Sequence, residues 1–268
     1  MINQHTICIQ EHMKHLIVAT VILTNILVVF SFAACRGGVE QKSRLDGKRE
    51  GQPLFSSMND TILWMSDQSP FFPKKGWSFE NEELRLSPGR VGGSLITRKR
   101  YSDFELSLEF KMTKMGNSGV KYFLNRMTDK SNNRDAWIGF EYQIIDDFSA
   151  DDIKGYEGAK GSTGALYLIY PPDPDKKKLH APGEWNTMRV IVDGTHVEHW
   201  LNGEKVVSAD IDSDDFRHRV AETKFANYAD YGKLREGHIL LQDHGDEIAY
   251  RNIFLLDNRH AYEKIKRE

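Results

Sequence analysis

The sequence has few cysteines, few prolines and little net charge. Only two cysteines occur, Cys8 and Cys35, together with eight prolines in 268 residues. Because both cysteines lie close to the N-terminus, no disulfide can form within the rest of the chain, which must be stabilised by packing. The formal net charge of −3 gives no indication of the basic surface that nucleic-acid binding uses. We therefore expect no nucleic-acid partner.

The longest apolar run is residues 16–34, near the N-terminus. Lys14 precedes it, and two alanines lead directly into Cys35, which is the pattern of a secretory signal peptide. The ending resembles the lipobox of bacterial lipoproteins, whose cysteine becomes the lipidated first residue of the mature protein. A transmembrane helix is the alternative interpretation, because a run of this length can just span a bilayer.

These features predict a bacterial cell-envelope protein, periplasmic or surface-exposed, that is held to a membrane by a lipid on Cys35. The charged stretch after this cysteine has no apolar periodicity and is typical of a flexible tether. Met13 followed by Lys14 is a more natural start than Met1. The predicted parts are a signal peptide (1–34), a lipidated tether (35–53), one domain (54–258) and a C-terminal tail (259–268).

Strand-like patterns fill the predicted domain. Asn202-Gly203 predicts a tight hairpin, because Asn and Gly tolerate the positive φ angles of such turns. Residues 212–228 show apolar spacings of three and four, which predict a single helix. Ten short strands with so little helix indicate an all-β, two-sheet antiparallel sandwich. The predicted strands are residues 84–86, 94–97, 104–112, 120–124, 137–145, 164–170, 185–192, 196–201, 238–242 and 247–256.

Polar side chains interrupt these strands at three places. Glu141 and Gln143 alternate along one predicted strand and so share one sheet face. Segment 117–121 lies upstream of them and segment 242–245 lies downstream. Three strands that deliver polar groups to one cleft predict acid–base chemistry on a polar substrate. The long acidic loop 147–163 is a candidate lid for that cleft.

Nine motifs follow one another in a fixed order along the predicted domain. They are Tyr101-Ser102-Asp103-Phe104-Glu105-Leu106, Asn117-Ser118-Gly119-Val120, Glu141-Tyr142-Gln143-Ile144-Ile145-Asp146, Gly164-Ala165-Leu166-Tyr167, Gly183-Glu184-Trp185-Asn186, His199-Trp200-Leu201-Asn202-Gly203, Lys224-Phe225, Gly237-His238-Ile239-Leu240-Leu241-Gln242-Asp243-His244-Gly245 and Arg251-Asn252-Ile253. This order resembles the 3-keto-disaccharide hydrolase family over residues 54–258. The resemblance implies a concanavalin-like jelly-roll sandwich and enzymes that cleave glycosides already oxidised to a ketone at sugar carbon 3.

The ketone makes such cleavage possible without two carboxylates flanking the bond. It acidifies the hydrogen on carbon 2, so that a base can remove it and the aglycone can leave from carbon 1, after which water adds back. The site then needs a base, a donor for the enolate oxygen and an acid for the leaving oxygen. Within the motifs, the candidate catalytic residues are Glu141, His244, His199 and Asp146.

Each assignment has a structural alternative. Glu141 could be held in a salt bridge by Lys121 or Arg251, and His199 could belong to the core. Asp146 could cap a turn, and His244 could be an ordinary edge histidine. The basic run 176–178 is typical of a solvated loop. The residues predicted to bind the sugar are Asn117, Lys121, Gln143, Tyr167, Trp200, Gln242 and Arg251.

A divalent metal that holds the enolate stays open as a cofactor. The candidate histidines and carboxylates are ligand types, but no closely spaced metal motif is present. The expected partners are the oxidised sugar and, through the lipid, the membrane. The main alternative function is a non-catalytic carbohydrate-binding module, because fold alone does not fix function. A structural or interaction domain without a polar cleft is the third possibility.

Overall fold

The computed structural model describes residues 51–258, so the predicted signal peptide, the lipid on Cys35 and the C-terminal tail lie outside the described residues. The strands are β1 (Gln52–Phe55), β2 (Trp64–Ser66), β3 (Trp77–Glu80), β4 (Glu83–Leu86), β5 (Leu95–Thr97), β6 (Phe104–Met112), β7 (Asn117–Asp129), β8 (Arg134–Ile145), β9 (Asn186–Asp193), β10 (His196–Leu201), β11 (Glu204–Asp210), β12 (His238–Leu241) and β13 (Ile248–Asp257). Short 3-10 helices cover Met58–Leu63, Ala150–Asp152, Gly158–Gly161 and Lys224–Asn227, and the α-helix of the described part, α1, is Asp214–Ala221. No helix among residues 51–258 is long and apolar enough to cross a membrane.

The strands form two antiparallel sheets. The larger has eight strands in the order β11-β10-β9-β6-β13-β4-β3, with β1 also paired to β13. The smaller has five strands in the order β2-β5-β12-β7-β8. The prediction of a two-sheet antiparallel sandwich with one short α-helix is confirmed.

The core lies between the inner faces of the two sheets. β6 alternates strictly between buried and partly exposed residues, with Phe104 and Phe110 among those that point inward. Tyr122 and Tyr142 meet them from the smaller sheet, and both are completely buried. Burying side chains of this size contributes about 2 to 3 kcal/mol each, which explains how the domain is stabilised without a disulfide.

The longest pairing joins β7 to β8 and sets the geometry of the smaller sheet. Lys121 stands opposite Glu141, and Gly119 stands opposite Gln143. The register shifts after Tyr122, where Phe123 adopts a φ of 50°. Such a bulge places two residues of one strand opposite a single residue of its partner, so Tyr122 and its neighbour both contribute to the core.

Two predicted elements differ from the structure. Residues 164–170 form no strand, because the N–H of Leu166 bonds to the carbonyl of Tyr170 and turns the chain back after one bridge to β8. The predicted helix 212–228 is also interrupted, since Thr223 starts a separate 3-10 helix by accepting the N–H of Phe225. The predicted hairpin at Asn202-Gly203 is confirmed, with φ angles of 48° and 86°.

The two ends of the candidate lid, residues 147–163, are bonded to each other in the loop between β8 and β9. Asp147 accepts the N–H of Thr163 at 3.1 Å and pairs with Lys177 at 2.6 Å. The side chains of this ion pair are only 18% and 16% exposed. The prediction that the basic run 176–178 is a solvated loop is therefore wrong for Lys177. Its ammonium pairs with Asp147, the first residue of the candidate lid. Burial raises the pKa of Asp147, while the charge of Lys177 opposes that rise.

Candidate active site

One row of residues crosses all five strands on the outer face of the smaller sheet. The strand register joins Met65 to Ile96, Ile96 to Leu240, Leu240 to Lys121, and Lys121 to Glu141. The first three members are apolar and the last two are charged. The outer face is thus divided into an apolar half and an ionic half, with the boundary between β12 and β7.

Glu141 is the central group of the ionic half. Its Oε2 atom lies 3.3 Å from the Lys121 ammonium, and the two side chains are 8% and 20% exposed. A carboxylate this sheltered would be costly without a partner, so the ion pair is what makes its position tenable. The side chain leans over Gly119, because a Cβ atom at that position would lie only 2.5 Å from Glu141 Oε1. Glycine is therefore needed at position 119 to leave room for the carboxylate.

Amide side chains flank this carboxylate. Gln143 faces Gly119 across the β7–β8 pair, and its Nε2 donates to Asn117 Oδ1 at 3.3 Å. On the other side, the N–H of Gln242 donates to the carbonyl of Gly119 at 2.9 Å. The Oε1 atom of Gln242 is buried and meets no hydrogen-bond donor within residues 51–258. A buried acceptor without a donor is unusual, which marks Gln242 as a candidate for contact with a ligand.

Tyr167 borders the ionic half at the edge of β8. Its N–H donates to the carbonyl of Glu141 at 3.0 Å, and the preceding residue bridges to Tyr142. Alternation along the chain then places the phenol on the same side as the Glu141 carboxylate. Burial raises the pKa of Tyr167 to about 12, and the charges of Glu141 and Glu157 add to the rise. The phenol is protonated near neutral pH and can donate a hydrogen bond.

Asp146 and His244 lie at the ends of the strands that form this face. Asp146 follows β8, and its buried carboxylate accepts the N–H groups of Met115 and Phe148 at 2.8 and 3.0 Å. These bonds match the turn-capping alternative for Asp146. His244 is exposed and lies beyond Leu241, the last residue of β12, so it projects from a loop rather than from a strand.

Three predicted residues lie away from Glu141. His199 points into the core, where Tyr122 Oη is 2.9 Å from its Nε2 and the Gly164 carbonyl is 3.0 Å from its Nδ1. Burial lowers the pKa of His199 to about 4, so the ring is neutral and donates from Nδ1 to the carbonyl. Trp200 and Arg251 lie on the outer face of the larger sheet.

These two residues are engaged by that sheet's own carboxylates. Trp200 donates to Glu198 at 2.8 Å, and Arg251 forms an ion pair with Glu109 at 2.6 Å. The structure thus brings together Asn117, Lys121, Glu141, Gln143, Tyr167 and Gln242, and it separates them from His199, Trp200 and Arg251. Within the described range no three His, Cys, Asp or Glu side chains cluster as metal ligands.

Two residues of this face were not among the predicted site residues. Gly119 makes room for the carboxylate, and Trp137 lies on the same face of β8 as Glu141. The signal for Trp137 is the same alternation that pairs Glu141 with Gln143, continued four residues toward the N-terminus. The role of Gly119 has no such signal, because it depends on which strand lies beside β7.

The chain matches the 3-keto-alpha-glucoside-1,2-lyase-like domain family over residues 51–256 and belongs to that family. The resemblance drawn from the nine motifs is therefore confirmed. A 3-keto-disaccharide hydrolase of Bacteroides thetaiotaomicron is 30% identical over 179 residues, which are 60% of this chain and 61% of that relative.

Two crystal structures of candidate glycosyl hydrolases from Parabacteroides distasonis are also similar. One is 30% identical with a TM-score of 0.62, covering 73% of this chain and 88% of that one. The other is 28% identical with a TM-score of 0.54, covering 78% of this chain and all of that one.

Proposed function

We propose that this protein is an enzyme that cleaves glycosides carrying a ketone at sugar carbon 3, by elimination followed by hydration. Membership of the family and the name of the Bacteroides relative support a 3-keto-disaccharide as substrate. The observation that carries the proposal is the sheltered Glu141–Lys121 pair, with the neutral phenol of Tyr167 beside it. These groups supply a base, a cation and a proton donor on one face.

In the first step Glu141 removes the proton from carbon 2. The electron pair of the broken C–H bond moves toward the ketone, and the carbon 3 oxygen becomes an enolate. The Lys121 ammonium, 3.3 Å from the carboxylate, is positioned to stabilise that negative charge. The proton that Glu141 takes up weakens its ion pair with Lys121, so the ammonium becomes free to interact with the enolate as it forms.

In the second step the enolate expels the aglycone from carbon 1, leaving a double bond between carbons 1 and 2. The departing oxygen takes a proton, for which Tyr167 and His244 are the two candidate donors. Water then adds to carbon 1 and a proton returns to carbon 2, so that the net reaction is hydrolysis. Gln143, Gln242 and Asn117 bind sugar hydroxyls during both steps.

The test compares Glu141→Gln and His244→Ala on a 3-keto-disaccharide and on the same disaccharide without the ketone. Glu141→Gln should lower turnover of the oxidised sugar about 10²- to 10⁴-fold, the range for a lost general base. His244→Ala should lower it by a similar factor only if His244, rather than Tyr167, is the acid. The matched control is Glu105→Gln, which alters a carboxylate that pairs with Arg189 at 3.3 Å on the larger sheet.

The unoxidised sugar should not be cleaved, because its carbon 2 hydrogen is not acidic. Equal cleavage of both sugars would contradict the elimination mechanism. Binding of the oxidised sugar without any cleavage would instead favour a carbohydrate-binding module. Unchanged turnover in Glu141→Gln would move the chemistry away from this face.

We also propose that the enzyme is anchored in the bacterial cell envelope by a lipid on Cys35. The support is the apolar run 16–34, which ends in two alanines and the cysteine. The charged segment that follows would allow the sandwich to stand away from the membrane on a tether.

A further inference from the structure

Four large apolar side chains are exposed near the start of the sandwich. Met58, Ile62 and Leu63 belong to the 3-10 helix between β1 and β2, and they are 50%, 74% and 40% exposed. Phe71, in the loop after β2, is 71% exposed, while the adjacent Phe72 packs against the core. Single exposed apolar residues are common, but a group of them marks a surface that contacts a protein or a membrane. We call these four exposed residues the edge patch.

Hydrogen bonds through Arg98 join the two parts of the edge patch. Its N–H donates to the carbonyl of Leu63 at 2.8 Å, and its guanidinium donates to the carbonyl of Pro70, the neighbour of Phe71. The loop folds back along β2, where the N–H of Ser66 donates to the Phe71 carbonyl at 3.0 Å. The edge patch therefore lies along β2, the edge strand of the smaller sheet.

Exposed basic side chains accompany the edge patch, and they are Lys74, Lys75 and Arg98. The two carboxylates of residues 51–75 are engaged by backbone groups. Asp60 accepts N–H groups at the start of its own 3-10 helix, and Asp67 accepts the N–H of Ser94 at 3.0 Å. An apolar surface flanked by cations is the combination that binds an anionic lipid surface.

The chain enters the sandwich beside the edge patch. β1 begins at Gln52, and Trp64 of β2 donates its indole N–H to the Leu54 carbonyl of β1 at 3.0 Å, so the two strands are neighbours. About 15 residues separate Cys35 from Gly51. A linker this short gives an effective concentration on the order of millimolar at the membrane, so a weak contact is enough for docking.

We propose that the edge patch docks on the membrane that carries the lipid, with its apolar side chains among the headgroups and its cations on anionic lipids. The proposal rests on the lipid anchor proposed above, and it adds a second contact that fixes the orientation of the domain. β2 and β8 are the opposite edges of the five-stranded sheet, so Glu141 lies about 19 Å across the sheet from β2. Docking through β2 therefore leaves the candidate active site open to solvent.

The experiment uses the mature lipidated protein in vesicles of phosphatidylglycerol and phosphatidylethanolamine. A chain that begins at a lipidated Cys35 has no other cysteine, so Ile62→Cys and Phe148→Cys can each carry a single environment-sensitive fluorophore. Phe148 is the matched control, because it is 64% exposed and lies just beyond β8, at the opposite edge of the sheet.

The fluorophore at position 62 should emit at shorter wavelength and be quenched by lipids that carry a nitroxide on the acyl chain, because docked apolar groups reach about 5–10 Å into the interface. The fluorophore at position 148 should show neither effect. Adding Phe71→Asp to Ile62→Cys should remove most of the quenching, whereas adding Phe148→Asp should leave it unchanged. Replacing phosphatidylglycerol by neutral phosphatidylcholine should weaken it.

Several outcomes would overturn the docking. Equal quenching at positions 62 and 148 would show that the tether brings the domain to the membrane without orienting it. A spectral shift at position 62 without nitroxide quenching would show that protein, from this chain or a second copy, covers the patch. Quenching that survives Phe71→Asp would place the contact elsewhere. An intact mass without lipid on Cys35 would overturn the anchor and the docking together, whereas a lipidated protein without quenching would overturn the docking alone.

Discussion

Replacing Gly119 by alanine should disable the enzyme without unfolding it. The added Cβ would lie 2.5 Å from Glu141 Oε1, whereas ordinary contacts begin near 3.4 Å, so the carboxylate must move by about 1 Å. A misplacement of this size costs roughly 10²-fold in rate when the displaced group takes part in the reaction. We therefore expect kcat for a 3-keto-disaccharide to fall about a hundredfold.

Stability should change little in the same variant. The obstructing atom ends a flexible side chain, so the backbone of β7 need not shift, and Gly119 does not have a positive φ. Alanine also restricts the unfolded chain, which contributes about 0.4 to 1 kcal/mol in favour of the fold. The melting temperature of Gly119→Ala should stay within a few degrees of the unaltered protein.

Gly139→Ala is the matched control for this argument. Its Cβ would lie 2.5 Å from the backbone oxygen of Tyr122 and 2.9 Å from Leu124 Cα. Backbone atoms of a paired strand cannot move aside as a side chain can, so this variant should lose about 1 to 3 kcal/mol of stability. Calorimetry and steady-state kinetics on both variants measure the contrast.

The refuting result is a Gly119→Ala enzyme with unaltered kcat. It would mean either that Glu141 takes no part in the reaction or that its carboxylate works equally well from a displaced position. The single variant Glu141→Gln separates these cases, because it loses turnover only if the carboxylate takes part in the reaction. The double variant Gly119→Ala/Glu141→Gln applies to the expected result, a slow Gly119→Ala enzyme. If the glycine acts through the carboxylate, the double variant should be no slower than Glu141→Gln alone, because the two changes remove the same function.

Three further predictions concern other parts of the chain. Tyr167→Phe should lower kcat by about 10² or more if the phenol is the acid for the leaving oxygen, while His244→Ala should then have little effect; kinetics on both variants decides between the donors. His199 has a folded pKa of about 4 against 6.5 in the unfolded chain, so the unfolded chain binds more protons and stability should fall as pH drops from 6.5 to 4. Urea unfolding across this range should show a loss of roughly 3 kcal/mol that His199→Gln abolishes, and equal pH dependence in both proteins would contradict the assignment. Cys35→Ser should abolish lipidation, seen by intact-mass analysis, and release the protein from the membrane fraction; a variant that still fractionates with the membrane would refute the anchor.

The sequence was sufficient to predict the faces of individual strands. Alternation places Glu141 with Gln143 and, on the neighbouring strand, Gly119 with Lys121, and the structure has these residues on one outer face. The fold class could be predicted for the same reason, because turn residues and alternating runs are local signals. Short strands without such alternation were not predicted, and these include β2, which carries Met65.

Which side chains from different strands share one surface could not be predicted in the same way. Gln242 and Arg251 are nine residues apart in sequence, yet β12 belongs to the smaller sheet and β13 to the larger. Their side chains therefore lie on opposite outer surfaces of the sandwich. His199 shows the related difficulty: its alternation with Val197 and Leu201 fixes its face, but only the sheet assignment shows that this face is the interior.

The pairing of β7 with β8 brings Lys121, Glu141 and Gln143 together in one site. A slip of one residue in this register would move the side chains of one strand to the opposite face, and Lys121 would then meet a core side chain instead of Glu141. The bulge at Phe123 opposes such a slip, because it buries Phe123 beside Tyr122 and fixes which residues on either side can pair. The same bulge brings Leu124 onto the outer face, where it joins Ile96 and Leu240. One irregularity in one strand therefore positions both the ion pair that we propose to act on the ketone sugar and the apolar half of the same face.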